Sequence, residues 1–147
     1  MKIAIGSDHR GYSLKERLKK LLSGDGHEIV DVGTGSEDSA DYPDYAIPVA
    51  EKTADGEVDR GIVICGSGIG MSIAANKVAG ARAALVRTVE DALMTRRHND
   101  SNVLALSEAS MEDEQLDEIV RVWLETEFEG GRHQRRVDKI IDYEKTR

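Results

Sequence analysis

Cysteine, proline and aromatic residues are scarce in this chain, and each scarcity excludes something. A single cysteine, Cys65, rules out an intramolecular disulfide. Two prolines leave no proline-rich linker, and 14 glycines suit many short loops rather than one long disordered segment. Aromatic residues make up only 4% of the chain, so the core falls to Ile, Val, Leu and Ala. Such small and branched side chains pack well between a parallel sheet and its helices. No apolar leader follows Met1 and no apolar run is long enough to span a bilayer, so the expected location is the cytosol. Cations are outnumbered, with 20 Lys and Arg against 28 Asp and Glu and a net charge of −8. A chain so acidic is a poor general partner for nucleic acid or an anionic membrane.

What remains is patterned. The 147 residues are the size of one domain, 1–147, large enough to bury a core without metals or disulfides. Short apolar runs alternate with amphipathic stretches, which predicts a parallel sheet covered by helices. Strands are expected at Lys2 to Gly6, His27 to Val32, Arg60 to Ile64, Ala81 to Val86 and Asn102 to Leu106. The unbroken Ile62-Val63-Ile64 places the third strand centrally, buried on both faces. Leu14, Leu18, Leu21 and Leu22 mark a helix that Ser23-Gly24-Asp25-Gly26 stops. Asp41-Tyr42-Pro43 opens a second helix, which Pro48 is expected to bend or delay. Further helices are expected over Ile69 to Val78 and Thr88 to His98, with Thr88 as cap. Leu116, Ile119, Val120, Trp123 and Leu124 mark another. After Glu129-Gly130-Gly131 comes a charged final helix, suited either to its own domain or to a partner subunit. Arg96, Arg97, Arg132, Arg135 and Arg136 are basic islands, readable as anion sites or as solvated helix faces.

Ligands of open parallel sheets bind beyond the carboxyl ends of the strands. Three polar clusters fall there: Ser7-Asp8-His9-Arg10-Gly11, Cys65-Gly66-Ser67-Gly68-Ile69-Gly70 and Arg87-Thr88. The first two become neighbours if the first and third strands pair. Glycines at 66, 68 and 70 let several N–H groups point to one spot, a nest for a phosphate or a developing oxyanion. The loop lacks the Lys-Ser or Lys-Thr of a nucleotide P-loop and the spacing of a dinucleotide fingerprint. It is not a serine nucleophile elbow either, because Cys65 stands where the first glycine belongs. Cys65 opens this loop, and the dipoles would favour a thiolate able to act as a base on a C–H bond. A buried cysteine with no function is the alternative. Asp8 and His9 could bind hydroxyls or phosphate, or simply cap a helix. His98 and Asn99 enter the fifth strand, at the wrong end for a cleft within one subunit; an active-site role for them is easier across a dimer interface. Arg132 and Arg136 lie four apart on one helical face and could clamp a phosphate.

Five stretches together resemble the ribose-5-phosphate isomerase B family, which includes allose- and galactose-phosphate isomerases. They are Gly6-Ser7-Asp8-His9 with Gly11; Asp41-Tyr42-Pro43; Ile64 to Gly70 with Ser72 to Lys77; Arg97 to Ala105; and Glu129 to Val137. The matches run in register over nearly the whole chain. The resemblance implies an α/β three-layer αβα sandwich with a Rossmann-like five-stranded parallel sheet, and a homodimer, or a tetramer of such dimers, sharing its active sites. It implies reversible isomerisation of ribose 5-phosphate and ribulose 5-phosphate in the pentose phosphate pathway, with no cofactor and no metal. Under it Cys65 is the base that moves a proton between C1 and C2. Gly66, Ser67, Gly68, Ile69 and Gly70 bind the enediolate, His98 opens the furanose ring, and Asp8, His9 and Asn99 contact substrate. Arg132 and Arg136 hold the phosphate. Two positions depart from variants of the pattern. Met71 stands where some members carry a glutamate base, which leaves Cys65 as the only candidate. Ser107-Glu108-Ala109-Ser110 lacks an arginine often found after the fifth strand. A six-carbon sugar phosphate, or a non-catalytic anion-sensing module on the same fold, are the alternatives.

Overall fold

The computed structural model describes residues 1–147. In chain order the elements are β1 (Lys2–Ser7), α1 (Tyr12–Gly24), β2 (Glu28–Gly33), α2 (Pro43–Ala54), β3 (Arg60–Cys65) and α3 (Ile69–Ala75). They continue with β4 (Ala83–Leu85), α4 (Val89–Asn99), β5 (Val103–Ser107), α5 (Asp113–Glu125) and α6 (Arg132–Glu144). The strands form one parallel sheet in the order β2-β1-β3-β5-β4. β3 is central, as its unbroken apolar run predicts.

Alternation along the strands sorts the core into two layers. Ile3, Ile5, Ile62, Ile64, Leu104 and Leu106 face one way and meet Leu14, Leu18 and Leu22 of α1, Ala92 of α4, and Leu116, Ile119, Val120 and Trp123 of α5. Ala4, Val63, Cys65, Val103 and Ala105 face the other way, toward α2 and α3. Bulky branched residues thus fill the side with three helices, and smaller ones let α2 and α3 approach closely. The Trp123 indole N–H donates to Ser101 Oγ at 2.9 Å, so the one tryptophan is buried with its polar group satisfied. The result is the three-layer αβα arrangement expected from the alternation of elements.

β1 and β3 each end one residue later than expected, at Ser7 and Cys65, and β2, α4 and β5 are each shifted one residue along; other differences are larger. α3 stops at Ala75 rather than Val78, because the Asn76 side chain leaves the helix to bond both the N–H and the carbonyl of Ala83. β4 is shorter at both ends; the Arg82 N–H donates to Asn102 Oδ1 instead of joining a ladder. Pro48 does not delay α2, which runs from Pro43 through it to Ala54. Thr88 caps α4 as expected, its hydroxyl accepting the Asp91 N–H at 3.0 Å.

Candidate active site

β1 and β3 pair directly, with Ser7 beside Ile64, so the segments that follow them meet beyond the carboxyl edge of the sheet. Asp8, Arg10, Tyr42, Cys65, Gly66, Ser67 and Gly70 line an open cleft there of about 440 Å³. Cys65 is 5% exposed and ends the central strand. The Gly68 N–H donates to its Sγ at 3.1 Å. That bond needs the loop to turn back on the strand end, which it does at Gly68, with φ of 76°. A side chain there would also strike Leu85 Cδ1, 2.6 Å from the position of a Cβ. The N–H groups of Gly66 and Ser67 meet no acceptor in the protein, and those of Gly70 and Met71 lie in the first turn of α3, where helix geometry offers none. The loop that begins at the thiol therefore carries several unpaired N–H groups. The Tyr42 ring covers Gly70 so closely that a Cβ there would lie 2.9 Å from it.

Asp8 is buried at 7% exposure, and its Oδ1 accepts the N–H groups of Arg10 (2.9 Å) and Gly11 (3.2 Å). α1 has Gly11 as its N-cap and no side-chain cap, so Asp8 does not cap the helix; its Oδ1 closes the turn before it, and the residue lines the cleft. His9 Nδ1 lies against the Ala40 backbone, 3.1 Å from its N–H and 3.3 Å from its carbonyl oxygen. His9 is half-buried beside the cleft and does not line it.

The other expected site residues lie elsewhere in the chain. Gly61 of β3 pairs with Val103 of β5, and Cys65 with Ser107. His98 and Asn99, which precede Val103, are thus beyond the amino edge, at least roughly 13 Å of strand away from Cys65. Asn99 lines a separate pocket of about 420 Å³ with Arg82, Thr95, Ser101, Ile140 and Glu144. His98 stacks on His133, ring centres 4.1 Å apart and planes 14° from parallel. Glu129 Oε2 lies 3.9 Å from Nε2 of His98 and 3.6 Å from Nε2 of His133. Lost hydration, then the neighbouring His98 and Arg132, hold the His133 imidazole below its ordinary pKa of 6.5. These three residues are the one group of metal-ligand type, but near-parallel rings aim their lone pairs side by side rather than at one point. Arg132 and Arg136 are exposed on α6 with no ion-pair partner. Arg96 is different: it is 3% exposed and bonded to Asp100, Ser101 and Thr126, so of the basic islands it is a structural one.

Two cleft residues were not among those singled out for binding. Tyr42 stands in Asp41-Tyr42-Pro43, and its nearness to the glycine loop is a tertiary fact. Arg10 stands in the polar cluster after β1, and its direction could not be read from the sequence.

A cleft with a thiol among free N–H groups fits carbon-acid chemistry, and the comparisons agree. The model of the ribose/galactose isomerase family matches residues 3–140. Ribose-5-phosphate isomerase B of Escherichia coli is 48% identical over 146 residues, covering 99% of this chain and 98% of that protein. The structure of Clostridium thermocellum ribose-5-phosphate isomerase B superposes with a TM-score of 0.97 at 52% identity, covering 99% of both chains. That of Mycoplasma genitalium ribose-5-phosphate isomerase B, with ribulose-5-phosphate bound, gives 0.95 at 44% identity over 99% of this chain and 97% of the other. With the match running from the first strand into the last helix, and the same fold in solved relatives, this chain is a member of the ribose/galactose isomerase family.

Proposed function

We propose that this chain, acting as a single domain over residues 1–147, interconverts ribose 5-phosphate and ribulose 5-phosphate, with Cys65 as the base. The observation that carries the assignment of the base is the Cys65 Sγ held by the Gly68 N–H at the mouth of a loop with unpaired N–H groups. In the open-chain aldose, the thiolate takes the proton from C2. The C–H electron pair forms the C1–C2 double bond, and the carbonyl electrons move to O1, where the loop of Gly66, Ser67, Gly68, Ile69 and Gly70 receives the charge through the N–H groups not already bonded to Cys65 Sγ and Ser67 Oγ. The O2 hydroxyl then gives its proton to O1, O2 becomes the carbonyl, and the C1–C2 electron pair takes the proton back from the thiol at C1. One carbon is reduced as its neighbour is oxidised, so the chemistry calls for no redox cofactor, and with loop N–H groups taking the oxyanion's charge the proposed route uses no metal. Asp8 and His9 bind hydroxyls from the β1 side.

His98 opens the furanose ring, Asn99 contacts the sugar, and Arg132 and Arg136 bind the phosphate. This part of the reading needs a second subunit, because His98 and Asn99 stand beyond the opposite edge of the sheet from Cys65. A homodimer brings one chain's amino-edge residues to the other's cleft. α3 leaves Ile69 (46%) and Ile73 (56%) exposed one turn apart beside that cleft, an apolar face suited to a partner. No helix of the chain is long and apolar enough to cross a membrane, and a phosphorylated sugar is a cytoplasmic metabolite, so the cytoplasm is the compartment assigned.

A coupled assay with ribose 5-phosphate, allose 6-phosphate and galactose 6-phosphate tests the substrate; a clear preference for a hexose phosphate would replace ribose. Mixing inactive Cys65→Ala with inactive His98→Ala subunits tests the shared site. A mixed dimer then has one site with both defects and one with neither, so activity recovers toward roughly a quarter of wild type on random exchange. No recovery despite demonstrated exchange would place each site within one chain.

A further inference from the structure

Arg10 is the only cation lining the Cys65 cleft, and none of the roles above uses it. Its guanidinium lies flat against the glycine loop: Cζ is 3.4 Å, and Nη2 3.6 Å, from where a Cβ on Gly66 would be. It donates no side-chain hydrogen bond, since only the Arg10 backbone N–H is bonded, to Asp8. Its one charged neighbour is Glu108, at 4.0 Å from Nη2, which is too long for a hydrogen bond. Glu108 Oε2 itself is buried without a hydrogen-bond partner. A planar five-donor cation thus stands loosely opposed in an open cleft, 59% exposed, with its fork unfilled.

The position matters as much as the charge. Cys65 is at the buried end of the cleft, so C1 and C2 of a sugar phosphate go there and the phosphate points toward the mouth. Arg10 is at the mouth. The segment after β5, which contains no arginine, is fastened to the same loop: the Glu108 N–H donates to the Cys65 carbonyl and the Ala109 N–H to the Gly66 carbonyl. A cation for the phosphate cannot come from residues 107–110, and Arg10 is the side chain that reaches that space from the β1 side.

We infer that Arg10 is a substrate-binding residue of the Cys65 cleft, its guanidinium receiving the phosphate of the sugar in exchange for its loose pairing with Glu108. This rests on the sugar-phosphate reading above. A doubly charged phosphate in the fork makes short charge-assisted bonds that a carboxylate at 4.0 Å does not. Arg10 binds and does not transfer protons, so its removal should act on KM.

The experiment uses wild type, Arg10→Ala, Arg10→Lys, Glu108→Gln and the Arg10→Ala/Glu108→Gln double variant. Steady-state isomerisation of ribose 5-phosphate is read together with calorimetric binding of inorganic phosphate. Arg10→Ala should raise KM and weaken phosphate binding about tenfold or more, with kcat within about twofold of wild type and Arg10→Lys between. Glu108→Gln should tighten phosphate binding, and that gain should vanish in the double variant. Unchanged KM and phosphate affinity in Arg10→Ala would overturn the inference, as would a loss confined to kcat. An equal effect of Glu108→Gln in both backgrounds would overturn the exchange with Glu108. Phosphate binding needs no turnover, so an inactive wild type would sink the substrate reading while the calorimetry still decides the role of Arg10. The side chain is exposed and carries no structural bond, so these variants should fold.

Discussion

Replacing Cys65 with serine or alanine should nearly abolish turnover while the protein still folds and binds substrate. The thiol is 5% exposed and packs with Val63, Ala105 and Met71 on the α2–α3 side of the sheet. Serine is nearly isosteric and keeps an atom for the Gly68 N–H to meet, now 3.1 Å from sulfur, so the glycine loop should survive. What is lost is the base. A serine hydroxyl gives up its proton far less readily than a thiol, and Met71 offers no replacement at the start of α3. A positioned base contributes about 10²–10⁴-fold to proton transfer, or roughly 3–5 kcal/mol of barrier. kcat should fall by that factor with ribose 5-phosphate, while the affinity for inorganic phosphate stays near wild type. A second readout isolates the proton step: wild type should wash deuterium from D2O into C1 or C2 of the sugar, followed by NMR, and both variants should lose this exchange in proportion to kcat. Wild-type-like turnover or exchange in a folded variant would remove Cys65 from the mechanism. Lost phosphate binding would show instead that the loop had collapsed.

His98→Ala should impair ribose 5-phosphate more than an open-chain analogue, since a ring oxygen needs a proton and an imidazole can deliver one near neutral pH; equal losses on both would reduce His98 to a positioning role. Gly68→Ala forces an alanine to φ of 76° with its Cβ 2.6 Å from Leu85. It should cost roughly 2–4 kcal/mol of stability, read by denaturant unfolding, and most of the activity. Asp31→Asn should destabilise by roughly 3 kcal/mol, because Lys15 Nζ, 1% exposed, keeps only Glu16 as partner. Burial works against the Asp31 carboxylate, but Lys15, Lys19 and the Gly33 N–H outweigh it and hold its pKa below the ordinary 3.8. Its contribution is therefore present above pH 3.8 and lost as pH falls through the lower folded value. The variant's stability should change less with acidification over that window than wild type's, and parallel curves would refute the assignment.

Much of the fold was legible because parallel α/β architecture writes itself in local terms. Ile62-Val63-Ile64 is buried on both faces only in the middle of a sheet, and β3 is in the middle. The N-cap at Thr88 and the stop of α1 within Ser23-Gly24-Asp25-Gly26 are short-range chemistry. The larger boundary differences are those fixed by distant partners: Asn76 ends α3 by reaching Ala83, and Arg82 leaves β4 for Asn102. Neither bond has a signature in the neighbouring residues. The glycine loop was legible for the opposite reason, since its left-handed bend falls on a glycine, Gly68, and its close approach to Tyr42 on another, Gly70.

Side-chain direction was the part that sequence could not carry, and it divides the site. Asp8 and Arg10 are two residues apart in one loop, yet Asp8 is buried with its Oδ1 spent on backbone N–H groups while Arg10 lies open against Gly66. Composition offered no way to rank them, and the aspartate was the more conspicuous. The same limit applies on a larger scale to His98 and Asn99. Chain order alone put them at the amino edge of β5, which made a partner subunit the simpler route to the cleft. The register of β3 against β5 strengthens that argument, since it leaves the length of the sheet between Cys65 and His98. A parallel strand cannot present residues from both its ends to one cleft. If the chemistry uses both residues, symmetry between two chains is what brings them together.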